Sequence, residues 1–127
     1  MKILLVDHSE PIRQIEKSIL AELGEVTFVE AVDGLEGLRL FCDAKAEPFD
    51  LIVIEASVPT VSGLELVAKI RETDKAVPLA MVTSDAEKAR VIEAIKAGVN
   101  AYIVKPFTPE VLLAKVRAVL GRKKAVA

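Results

Sequence analysis

The sequence predicts an α/β fold in which a parallel sheet lies between two layers of helices. Three observations carry this reading. Short apolar runs rich in β-branched residues recur five times along the 127 residues. Each is followed by a stretch with helical periodicity. The runs also lack a polar face, as strands covered on both sides require. Alternating strands and helices give parallel strands joined by right-handed crossovers, which set the helices on the two faces of the sheet.

The first strand, Lys2 to Val6, ends at Asp7-His8. Ser9-Glu10-Pro11 supplies a cap and an early-turn proline. Ile12, Ile15, Ile19, Leu20 and Leu23 then mark one face of a helix that Gly24 closes. The second strand spans Val26 to Ala31. Asp33, with Glu36 three residues on, caps the next helix, and Leu35, Leu38 and Cys42 form its expected inner face. Gly34 and Gly37 there suit close packing at the helix start.

The stretch Phe49-Asp50-Leu51-Ile52-Val53-Ile54-Glu55 reads as the central strand and ends on a carboxylate. Ligands and reactive groups of open parallel sheets sit beyond the carboxyl ends of the strands. A loop through Ser57 and Pro59 follows. Ser62 and Glu65 form a second capping pair, and Leu64, Val67 and Ile70 turn inward. Pro78 to Val82 forms the fourth strand, ending at Thr83-Ser84, and Ser84 with Glu87 is read as the cap of a fourth helix closed near Gly98. Ala101 to Val104 is the fifth strand. It leaves through Lys105-Pro106, a pair suited to a tight turn with a cis bond. Thr108-Pro109 starts a last helix through Leu112, Val116, Val119 and Leu120. One domain over residues 1 to 121 is expected, with the basic residues 122 to 127 as a tail or linker.

A hydrophobic content of 52% and a charged content of 28% fit a globular protein. The net charge of −2 gives no general attraction to nucleic acid or to anionic membranes. No apolar run reaches the roughly 18 to 20 residues that span a bilayer, and the start leads directly into a strand, so a cytoplasmic setting is expected. The single cysteine, Cys42, excludes an intramolecular disulfide and a multi-cysteine metal cage. On the apolar side of its helix it reads as a buried, inert thiol.

The strand ends gather Asp7, His8, Glu55, Thr83, Ser84 and Lys105 at one rim. Each has a plain structural reading: a solvated strand-end acid for Glu55, a surface residue for His8, helix capping for Thr83 and Ser84, a half-buried edge aromatic for Tyr102. Together, however, Asp7 after Ile-Leu-Leu-Val, the acid of Leu-Ile-Val-Ile-Glu55 with Pro59 and Gly63 behind it, Thr83-Ser84 and Lys105-Pro106-Phe107 resemble the receiver domain of bacterial two-component response regulators. The resemblance is nearest to single-domain chemotaxis regulators and covers residues 2 to 120.

The resemblance implies a flavodoxin-like five-stranded sheet of order 2-1-3-4-5. It implies a phosphoacceptor at the position of Glu55, with phosphate received from a histidine kinase. Mg²⁺ would be held at the positions of Glu55, Asp7 and His8 and by the Ser57 carbonyl. Lys105 would pair with the phosphoryl group, and Thr83 and Tyr102 would form the switch. Output is expected through the face of the fourth helix, fifth strand and fifth helix, with Lys88, Arg90, Lys96 and Lys115 as exposed charges.

Two positions depart from the family pattern. The family has an aspartate where Glu55 stands and an acid where His8 stands. The longer glutamate shifts its carboxylate by roughly 1 Å, enough to cost on the order of 10²-fold in a positioned reaction. Histidine exchanges a hard oxygen for a nitrogen suited to transition metals. Weak or absent Mg²⁺, with phosphorylation weakened, lost or mimicked, is the expectation. A small phosphatase or nucleotide-binding enzyme on a similar fold is the alternative, against which stands the lack of a P-loop or dinucleotide fingerprint. A receiver cut from a longer transcription regulator is a third reading.

Overall fold

The computed structural model describes residues 1 to 126, with side chains through residue 121. Five strands, β1 (Lys2–Val6), β2 (Thr27–Ala31), β3 (Leu51–Glu55), β4 (Leu79–Thr83) and β5 (Ala101–Val104), alternate with α1 (Glu10–Leu20), α2 (Gly34–Asp43), α3 (Gly63–Thr73), α4 (Lys88–Ala97) and α5 (Pro109–Val126). All neighbouring strands are parallel, in the order β2-β1-β3-β4-β5. This is the flavodoxin-like arrangement expected. The helix α5 continues past Gly121 to Val126, and the basic side chains assigned to a tail lie outside the described residues. No described helix is long and apolar enough to cross a membrane.

Side chains alternate across a strand, and the sheet thereby feeds two cores. Leu4, Val6, Ile52, Ile54 and Met81 pack with Leu66, Val67 and Ile70 of α3 and Ala94 of α4. Ile3, Leu5, Leu51, Val53, Ala80, Val82 and Ile103 pack with Ile19 and Leu20 of α1 and Leu112, Leu113 and Val116 of α5. Every residue of β3 and β4 is buried. Burial at about 25 cal/mol per Å² of apolar surface makes these two layers the main source of stability.

The helices differ in detail from the sequence reading. Ile19 and Leu20 are buried as expected, but Ile15 is 48% exposed, and α1 turns Arg13 and Glu16 inward with them. The isoleucine pattern and this stripe are one residue out of phase, and both satisfy a 3.6-residue period. Leu23 falls in a 3₁₀ turn over Ala21–Leu23. On α2, Leu35 is 57% exposed and Cys42 is exposed rather than buried.

Gly34 and Gly37 occupy the inner face of α2, because the helix approaches too closely for a side chain. A Cβ at Gly37 would lie 3.0 Å from Val6 and 3.2 Å from Leu66, and one at Gly34 only 1.8 Å from the Val61 carbonyl oxygen. Gly34→Ala is therefore expected to destabilise the chain by roughly 1 to 3 kcal/mol, read as a lower urea midpoint. An unchanged midpoint would show that the Val61 loop yields freely.

On α3, Leu66 joins Val67 and Ile70 inside while Leu64 is half-buried. Asp33 and Ser62 cap as expected, accepting from Glu36 N at 2.8 Å and Glu65 N at 3.2 Å. Ser84 does not cap α4. That helix starts at Lys88, after an Asx turn in which Asp85 accepts from Glu87 N at 3.0 Å, and Glu87 at the N-cap makes no side-chain cap bond.

Candidate functional site

Parallel register brings the strand ends level. Val6 lies opposite Ile54 and Ala31, Glu55 opposite Val82, and Thr83 opposite Val104. Asp7, Glu55, Thr83 and Lys105 therefore share one rim of the sheet.

Asp7 is 2% exposed and held on every side. Its Oδ1 accepts from Ser9 N at 2.9 Å and its Oδ2 from Lys105 Nζ at 3.0 Å. Its carbonyl accepts from Arg13 Nη1 at 2.6 Å. Arg13 also donates through Nε to Glu30 on β2 at 2.8 Å, and Lys17 reaches the other Glu30 oxygen at 3.1 Å. The Arg13 bond holds the Glu30 carboxyl below the usual carboxylate range despite its partial burial.

Glu55 is 8% exposed. Lys105 Nζ lies 3.3 Å from its Oε2, off the line of a hydrogen bond, so this buried oxygen has an ion-pair partner and no directed donor. Burial raises the Glu55 carboxyl above its ordinary value, and Asp7 adds to the rise. Lys105 and the Ser57 backbone N–H oppose it. Burial also works to lower Lys105, but the Asp7 bond and the two carboxylates outweigh it and leave the ammonium above the ordinary lysine value. Glu55 and Lys105 thus form an ion pair, with Asp7 as the ammonium's shorter partner.

The Lys105 backbone N–H donates to the Thr83 carbonyl at 2.8 Å, and the bond to Pro106 is cis. Thr83 is 1% exposed, and its hydroxyl accepts from Asp85 N at 3.3 Å. Tyr102 is half-buried on β5 and donates from its hydroxyl to the Asp85 carbonyl at 2.6 Å. Thr83 and Tyr102 thus both hold the segment at Asp85. Burial, then Asp85 and Glu55, raise the Tyr102 phenol.

His8 points to solvent, its side chain 61% exposed and its Nδ1 3.9 Å from Asp7 Oδ1. Ser57 is exposed in the loop after β3. Farther along that loop Thr60 has a φ of 68°, and its hydroxyl accepts from Leu35 N at 3.1 Å, fastening the loop to α2. Among the described residues no three His, Cys, Asp or Glu side chains are grouped to hold a metal ion. A separate cavity of about 580 Å³, lined by Phe41, Cys42, Phe49 and Val77 among others, opens at the opposite end of the sheet.

Sequence reasoning missed Arg13 and Glu30 beside Asp7, and a third ionisable residue buried on α1. Glu16, 1% exposed on the inner face of α1, has its carboxyl raised to about 8. Burial is the main cause. Asp7 and Glu55 add to it, while Lys105 and Arg13 oppose it. The available signal was its spacing, one turn after Arg13 and one before Leu20 on a single stripe.

The chain matches the model of the response regulator receiver domain over residues 3 to 117. It is 46% identical over 123 residues to a chemotaxis protein CheY homolog of Campylobacter jejuni, covering 95% of this chain and 93% of that protein. It is 44% identical to chemotaxis protein CheY1 of Helicobacter pylori, covering 95% and 98%. Among solved structures, a CheY-like receiver domain protein from Methanospirillum hungatei superposes with a TM-score of 0.87 at 29% identity, covering 99% and 98%. Vibrio cholerae CheY4 does so with 0.81 at 32%, covering 93% and 97%.

Proposed function

The chain belongs to the response regulator receiver domain family, and we propose that it signals through protein contacts with a standing Glu55–Lys105 ion pair in place of a phosphoryl switch. The observation that carries this is the single ammonium of Lys105 spanning Asp7 at 3.0 Å and Glu55 at 3.3 Å. In this reading Glu55 stands where the family's acceptor aspartate would be. Its extra methylene carries negative charge toward the place a phosphoryl oxygen would take, with the family lysine already on it.

Receiver domains typically bind Mg²⁺ at the phosphorylation site. Here the residues at the family positions suit it poorly. A divalent ion between Asp7 and Glu55 would compete with the Lys105 ammonium, and His8 offers an exposed nitrogen instead of a third hard oxygen. A calorimetric titration is expected to give weaker than millimolar Mg²⁺ affinity, tightened by His8→Asp. Sub-millimolar binding by the unaltered chain would contradict this.

Without a well-held cation and with a displaced carboxylate, transfer from a phosphodonor is weakened or lost. Incubation with a small phosphodonor and Mg²⁺, read by intact-mass spectrometry, tests it. A stoichiometric phosphoryl adduct would overturn the reading.

Receiver domains work with histidine kinases and downstream targets, and the output face proposed here is α4-β5-α5. Ile92, Ile95, Val104 and Val111 are exposed on these elements beside half-buried Tyr102. Lys88, Arg90, Lys96 and Lys115 surround them with exposed charge. Tyr102→Ala is expected to weaken partner association about tenfold, the loss of one anchoring aromatic. Equal binding by the mutant would move the interface elsewhere. Activation by the ion pair is partial. Shifting a switch from 1:99 to 99:1 takes about 5.5 kcal/mol, and a pair whose carboxylate is buried returns much less than that once desolvation is set against attraction. Glu55→Gln accordingly lowers basal binding without abolishing it.

A further inference from the structure

The rim occupies one end of the sheet, and a cavity lies at the other. About 580 Å³ opens where α2 ends, β3 begins and α3 ends. Phe41, Ala44, Pro48, Phe49 and Val77 give it an apolar wall with two aromatic rings. Phe49 and Val77 are buried and held by the core. Lys2 Nζ sits 4.7 Å from the Phe49 ring centroid, committed to that ring and to the Glu47 carbonyl at 2.9 Å. Size and apolar, aromatic lining are those of a small-molecule site.

Charge and hydrogen bonding select among such molecules. The ionisable carboxyl and amino groups in the wall are Asp43 and Asp74 against the single Lys45. Two helices also end there, and the C-terminus of a helix is its negative pole. The two ends differ. At the end of α3 the carbonyls are taken: Ile70 accepts from Asp74 N at 2.8 Å, Arg71 from Lys75 Nζ at 3.3 Å and Asp74 from Arg71 Nη1 at 3.1 Å. On α2 the Phe41 carbonyl accepts from Ala44 N at 3.3 Å, while those of Cys42 and Asp43 accept from no described residue, and the last turn carries no basic side chain. A helix end in this state takes its donors from water or from a ligand. An anion meets two carboxylates and two negative helix ends. A neutral molecule with an N–H meets open acceptors beside an apolar wall.

We propose that this cavity binds an uncharged aromatic amine, a molecule of two or three rings with an N–H donor and no anionic group. Phe41, Phe49 and Val77 hold the rings, and the open end of α2 takes the N–H. The site is separate from Glu55 and Lys105, because the length of β3 lies between Phe49 and Glu55. It stands whether or not the ion pair acts as a switch.

Two fluorescent probes that differ by one sulfonate test it on the full chain. N-phenyl-1-naphthylamine is a neutral aromatic amine, and 8-anilino-1-naphthalenesulfonate is the same body with an anionic group beside its N–H. Expected is a saturable one-to-one enhancement of emission by the neutral probe, with the sulfonate binding at least about tenfold more weakly. In NMR spectra of the unaltered chain the neutral probe moves the amide resonances of Ala44, Phe49 and Val77 and leaves those of the exposed Ile92 and Ile95 of α4 in place. Cys42 is exposed in the cavity wall, so Cys42→Trp fills the site without entering the core and weakens the neutral probe by about tenfold or more, whereas Cys42→Ser does not. No enhancement, enhancement that rises without saturating, equal binding of the two probes, or shifts centred on α4 would overturn the proposal, as would unchanged binding by Cys42→Trp.

Discussion

Glu16→Leu is expected to stabilise the protein, by on the order of 4 to 5 kcal/mol near pH 8 and by far less at pH 4. The folded chain holds the Glu16 carboxyl at about 8, against 4.5 for the free side chain. Below the lower value both folded and unfolded chains are protonated, and the residue costs only the burial of a neutral carboxyl. Between the two values the unfolded chain releases its proton and the folded chain does not. Stability therefore falls as pH rises through this window, at about 1.4 kcal/mol per unit, and levels off above the folded value. Glu55, also raised, contributes with the same sign. Glu30, lowered by Arg13, has the opposite sign and loses its contribution as pH falls. Leucine of similar volume removes the Glu16 term and adds apolar burial against Leu20 and the α5 face. Urea midpoints at three pH values measure the difference. A gain that is independent of pH would show that Glu16 is not held neutral in the folded chain.

That residue also marks where the sequence stops being legible. The sheet was readable because fully buried parallel strands are apolar on both faces, and nothing in β3 before Glu55 or in β4 before Thr83 competes with that pattern. The rim was readable because the strand ends are fixed once the strands are, so Asp7, Glu55, Thr83 and Lys105 had only one edge to occupy. The helix faces were less readable. Ile19 and Leu20 were read correctly, but in the first two turns Ile12 and Ile15 satisfy the same period as Arg13 and Glu16, and hydrophobicity favours the isoleucines. What selects the inner stripe is the hydrogen bond from Arg13 to the Asp7 carbonyl and its pairing with Glu30, contacts between residues on different elements. On α2 the glycines were seen, but the depth of the approach they allow, which turns Leu35 and Cys42 outward, depends on Val6, Leu66 and the Val61 loop. The Ser84 cap failed for a local reason. Asp85 offered an Asx turn to the same amide that a capping box would have used.

The Glu55→Asp, His8→Asp double variant is expected to accept phosphate from a small phosphodonor at a rate roughly 10² times that of the unaltered chain. Two effects combine. Shortening residue 55 by one methylene draws its carboxylate back by about 1 Å, away from Lys105, and opens the space a transferred phosphoryl group would fill. An aspartate at position 8 would place a second hard oxygen beside Asp7, and the two carboxylates would suit Mg²⁺ better than Asp7 with His8. Lys105 is then free to follow the phosphoryl oxygens, as its reach to both acids already allows. Each single variant is expected to recover only part of the rate, because the cation needs the position 8 oxygen and the nucleophile needs the shorter residue 55. Their coupling should exceed the product of the two single effects. Stopped-flow Tyr102 emission on mixing with phosphodonor and Mg²⁺, checked by intact mass, gives the rates. A double variant no faster than the unaltered chain would mean that neither Glu55 nor His8 limits the chemistry, and the cause would then lie in Lys105 being held too firmly by Asp7.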